Sequence, residues 1–130
     1  MPMTRFISVQ TGVEGLHHWP AAASPDAYLA RPHRHLFVVT AQIAVAHHDR
    51  EIEINDATRW LDTTLRGFGR PDPDGGPLDF GPQSCERLAE RAVNAITDRY
   101  GPHRQVRCTV LEDGILGAGV DWQPDTTEPR

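Results

Sequence analysis

The sequence predicts an α+β domain, an antiparallel sheet with two helices on one face. Three observations predict it. Apolar residues alternate with polar ones through residues 6–17, 33–45 and 106–122, the period of a half-buried strand. Residues 57–68 and 88–100 instead space their apolar side chains three and four apart, the period of a helix. Glycine and proline cluster at the joints. Strands before, helices between and strands after give the order β-β-(β)-α-α-β-β, and helices packed on one sheet face bury both patterns.

In the first segment Val9, Thr11, Val13, Gly15 and His17 share a face. A loop from Pro20 to Pro32 separates it from the strongest strand, His33 to Val45, which is rich in β-branched residues. His47 to Arg50 reads as a turn, and Ile52 and Ile54 as a short strand pairing back in a hairpin. Asn55 or Asp56 then caps a helix whose apolar face carries Ala57, Trp60, Leu61, Leu65 and Phe68. Gly69 to Pro82 holds four glycines and four prolines in fourteen residues, a surface loop. Ser84 opens the second helix, with Glu86 in its first turn and Gly101-Pro102 as its stop. Val106, Cys108 and Val110 alternate as a strand, Asp113-Gly114 allows a turn, and Leu116 to Trp122 returns. These elements fill one domain, 1–122, and the polar residues 123–130 read as a flexible tail.

Composition narrows the chemistry. All 13 basic residues are arginines, so no lysine is present for Schiff-base or phosphate-loop chemistry. A net charge of −5 argues against nucleic-acid binding, and no apolar run is long enough for a signal peptide or a membrane span. Two cysteines make no disulfide framework, and Cys85 and Cys108 read as small buried hydrophobes. A cytoplasmic protein acting on a small molecule is the expectation.

The seven histidines carry the functional signal. His33 and His35 stand one residue apart at the start of the strongest strand, so their imidazoles point to one face. Such a pair alone marks a surface loop as readily as a metal site. His17 ends the preceding strand on that strand's apolar face, and if the two strands pair, three imidazoles converge. Three histidines with an open fourth position are the arrangement of a catalytic zinc site. The neighbouring His18 is the alternative third ligand.

With these residues in view, the chain resembles the 6-pyruvoyl-tetrahydropterin and 6-carboxy-tetrahydropterin synthase family. The resemblance rests on Val13-Glu14-Gly15-Leu16-His17-His18-Trp19, on His33-Arg34-His35-Leu36-Phe37, on Gln83-Ser84-Cys85-Glu86-Arg87-Leu88-Ala89-Glu90 and on Val110-Leu111-Glu112-Asp113, in order across residues 6 to 122. It implies the tunnelling (T-fold) architecture, in which sheets pair edge to edge into an oligomeric barrel, as a trimer or homohexamer. It also implies zinc on His17, His33 and His35, and a pterin anchored by Glu112 at a subunit interface.

The acid–base machinery departs from the family pattern. Leu29 stands where the family has its proton-abstracting cysteine. Leu78-Asp79-Phe80 stands where it has Leu-Asp-His, and Arg34 replaces the glycine between the zinc histidines. General acid–base groups contribute about 10²–10⁴ each in rate, so the proton work would pass to Asp79 or His18. Ser84, Arg34 and Glu112 are the candidate substrate contacts, Arg34 either through an anionic group or, as an exposed strand residue, facing away from the metal. The expected function is a zinc-dependent lyase or cyclase acting on a pterin or another carbonyl-bearing metabolite. The alternatives are non-pterin chemistry in specialised metabolism and a catalytically silent zinc- or ligand-binding module.

Overall fold

The computed structural model describes residues 3–124. Two long strands set its frame. β1 (Arg5–His17) and β2 (His33–Val45) pair antiparallel over their full thirteen residues, with Arg5 opposite Val45 and His17 opposite His33. After β2 come α1 (Ile54–Arg66), the two-residue β3 (Leu78–Asp79), α2 (Cys85–Tyr100), β4 (Val106–Glu112) and β5 (Leu116–Trp122). The sheet order is β3-β1-β2-β4-β5. It is mixed and not wholly antiparallel as expected, because β3 lies parallel to β1. Two ladder positions, Gly15–Leu78 and Leu16–Asp79, are enough to bring the glycine- and proline-rich loop onto the sheet edge. No helix among the described residues is long and apolar enough to cross a membrane.

The core follows the predicted periods. Val9 and Val13 on β1, Phe37, Val39, Ala41 and Ile43 on β2, and Val106, Cys108 and Val110 on β4 are buried on one sheet face. Against them lie Ala57, Leu61 and Leu65 of α1 and Leu88, Ala89, Ala92, Val93 and Ile96 of α2. Ser84 caps α2, its hydroxyl accepting from the Arg87 amide at 3.1 Å. Both cysteines are buried, and burial pushes the Cys108 thiol up to about 12.

The stretch 51–54 corrects the sequence reading. Ile52 and Ile54 form no strand, and α1 begins at Ile54. Glu53, not Asn55 or Asp56, is the cap, its carboxylate accepting from both of their amides at 2.8 and 2.9 Å. Ile52, just before the cap, and Ala57, four residues after it, are buried in the same core, the pattern of a hydrophobic staple. Burying Ile52 in this way competes with the alternation that suggested a hairpin. The 123–130 tail lies outside the described residues from 125 onward.

Candidate metal centre

One end of the sheet gathers the chemistry. The C-terminal end of β1, the N-terminal end of β2 and the C-terminal end of β4 lie side by side, because both pairings are antiparallel. His17 and His33 are direct cross-strand partners, His35 is opposite Gly15, and Glu112 is opposite Phe37. The ring centroids of the three histidines lie 4.5 to 5.6 Å apart. Gly15 is required at this spot, since a methyl group there would overlap the Phe80 ring. Phe80 is buried, edge-on to Phe37 at 5.2 Å. Phe80 is thus a packing residue.

His17, His33, His35 and Glu112 each offer a donor atom within 4.8 Å of the other three, and together they could hold a metal ion. The sequence reading expected three protein donors and an open fourth place. The structure puts the Glu112 carboxylate beside the three rings, Oε2 2.9 Å from His17 Nε2 and Oε1 3.6 Å from His35 Nε2. Two donors on one tetrahedral zinc, each bonded at about 2.0–2.1 Å, lie about 3.3 Å apart. These separations suit a shared cation.

The other face of each ring strengthens this assignment. Nδ1 of His17 lies 2.9 Å from the Gln83 carbonyl, Nδ1 of His33 3.0 Å from the Arg31 carbonyl, and Nδ1 of His35 2.7 Å from Asp113 Oδ2. A carbonyl or carboxylate oxygen only accepts, so each Nδ1 donates and a neutral ring keeps its lone pair on Nε2. For His17 this sets a lone pair facing a carboxylate. Its Nε2 is buried, and its alignment with Glu112 makes no hydrogen bond. Burial is the largest influence on this imidazole and holds it below the ordinary value of 6.5, which disfavours a bridging proton. A cation between the two groups satisfies both.

A cleft of about 570 Å³ opens beside the cluster. His17, His18, Trp19, Leu29 and His33 line it from the β1–β2 side, Ser84, Cys85 and Glu86 from the start of α2, and Glu112 and Leu116 from the β4–β5 turn. Its walls are mostly apolar, as small-molecule sites are. His18 presents a buried Nδ1 with no hydrogen-bond partner. Cys85 was read only as a small hydrophobe, yet it lines the cleft with its thiol 3.9 Å from Glu112 Oε2. Burial, and then the Glu112 charge, push that thiol up to about 12, so it stays protonated beside the carboxylate.

Two candidates lie elsewhere. Arg34 follows the strand alternation onto the opposite sheet face, where it pairs with Glu14 and is largely exposed. Asp79 accepts from the Gly81 amide at 2.8 Å and does not line the cleft. Asp113 went unnoticed as a functional residue because its place after a strand and before glycine reads as a turn. No protein-family model matches the chain, and no curated protein matches it.

Proposed function

We propose that the protein is a zinc-dependent lyase or cyclase resembling the 6-pyruvoyl- and 6-carboxy-tetrahydropterin synthases, acting on a pterin or another carbonyl-bearing metabolite. One observation carries the reading. Three imidazoles, each with Nδ1 on an oxygen, stand around a buried, unpartnered His17 Nε2 and a carboxylate, beside an apolar cleft. Zinc on these residues would supply Lewis acidity toward a bound hydroxyl or carbonyl.

The remaining roles belong to the chain. Glu112 sits at the end of β4, its carboxylate held in the cluster by no backbone donor. We assign it two positions, beside the rings when the cleft is free and turned to accept substrate N–H groups when it is filled. Accepting two such bonds would orient a planar heterocycle. His18 is the proton carrier, as the expected base that lines the cleft. Trp19 and Leu29 present apolar surface to the substrate and reduce its contact with water. The working unit in this reading is a homo-oligomer, a trimer or hexamer of the T-fold kind, built by sheet-edge pairing.

Metal analysis of the purified chain comes first, and less than about one zinc per three chains overturns the reading. Incubation with dihydroneopterin triphosphate then tests the substrate, with triphosphate release as the expected result. Zinc-loaded protein that leaves this compound intact points to non-pterin chemistry. Glu112→Gln is expected to retain zinc but lose pterin binding, and unchanged pterin affinity in that variant removes the anchor role.

A further inference from the structure

We propose that Asp113 is the residue that positions His35 as a metal donor, fixing both the tautomer and the orientation of its ring. The proposal deepens the metal-centre reading and rests on it. Asp113 is the first residue after β4, and it clamps two consecutive residues of β2. Its amide donates to the Leu36 carbonyl at 2.7 Å, its Oδ1 accepts from the Leu36 amide at 2.9 Å, and its Oδ2 accepts from His35 Nδ1 at 2.7 Å. The two backbone bonds prevent the carboxylate from drifting, so the third bond is directed at the ring.

The backbone explains why an aspartate can do this. Asp113 has φ of 55°, in the left-handed region, which Asp and Asn tolerate better than other side chains. In that conformation the chain turns sharply after Glu112, and consecutive carboxylates reach opposite nitrogens of one imidazole. Glu112 lies near Nε2 and Asp113 bonds Nδ1. His17 and His33 differ, because their Nδ1 atoms meet neutral carbonyls. A carboxylate in that place adds charge as well as direction.

Asp113→Asn is the discriminating variant. It keeps tolerance for the left-handed backbone but removes the charge and one of the two acceptor oxygens. Cobalt(II) affinity by chelator competition is expected to fall about 10–100-fold. In the metal-free chain, nitrogen NMR should show His35 wholly as the Nδ1–H tautomer in the wild type and as a mixture in the variant, with His17 unaltered. A variant within about twofold of wild type in affinity, or with an unaltered His35 tautomer, overturns the proposal even if thermal stability falls. If the wild type takes up no metal, the metal-centre reading fails and the tautomer comparison alone decides the role of Asp113.

Discussion

His17 carries the sharpest consequence of the site. Its imidazole is held below 6.5, mainly by burial, with the neighbouring His33 and His35 acting in the same direction and Gln83 and Glu112 opposing them. The unfolded chain therefore binds a proton at this residue before the folded chain does. Stability owed to His17 is fully present above about 6.5 and is lost as pH falls toward the lower folded value. The metal-free protein should weaken in urea as pH falls below about 6.5, and His17→Phe should show a shallower decline. Equal slopes in the two proteins would remove burial of His17 as the cause. With metal present, the same substitution should reduce zinc content, because it deletes one of the three histidine donors.

Ser84 links an element to the site. Its hydroxyl satisfies one of the free amides at the start of α2, and this end of the helix lines the cleft with Cys85 and Glu86. Ser84→Ala should lower stability by about 1 kcal/mol, seen as a shifted denaturant midpoint with an unchanged slope. If Ser84 also contacts substrate, the variant should bind pterin more weakly at full zinc content. Unchanged pterin affinity confines its role to the cap. The loop before α2 is similarly tied in place. The Gln83 amide group donates to the Phe68 and Phe80 carbonyls, each at 2.9 Å, while Gln83's own carbonyl takes His17. A loop that looks irregular in sequence is thus fixed where it touches the metal donors.

At the scale of the molecule, β5 is an edge strand, seven residues long and mostly exposed, beginning where the cleft is lined by Leu116. Ile115, just before it, and Leu116, its first residue, leave 79% and 62% of their surface in water, a cost that covering them would relieve. An exposed edge of this length is a ready template for another strand. Light scattering on the purified chain should give a trimer or a hexamer, and Gly119→Pro on β5 should dissociate it. A monomer at micromolar concentration would leave each cleft built from one chain and remove the barrel from the proposed function.

The periods in the sequence determined the α+β class, both helices, the four longer strands and the shared face of His17, His33 and His35. These follow from local geometry, since side-chain direction repeats every two residues in a strand and every 3.6 in a helix. The Glu53 cap was hidden because glutamate is not a usual capping residue, and β3 because two residues carry no period. The tertiary structure alone decided that Glu112 joins the histidines, that Asp113 holds His35 and that Cys85 faces the cleft. Each depends on which residues antiparallel pairing and helix docking bring opposite one another. Contacts between residues as distant as 35 and 113 come from register and packing, which no short stretch of sequence encodes.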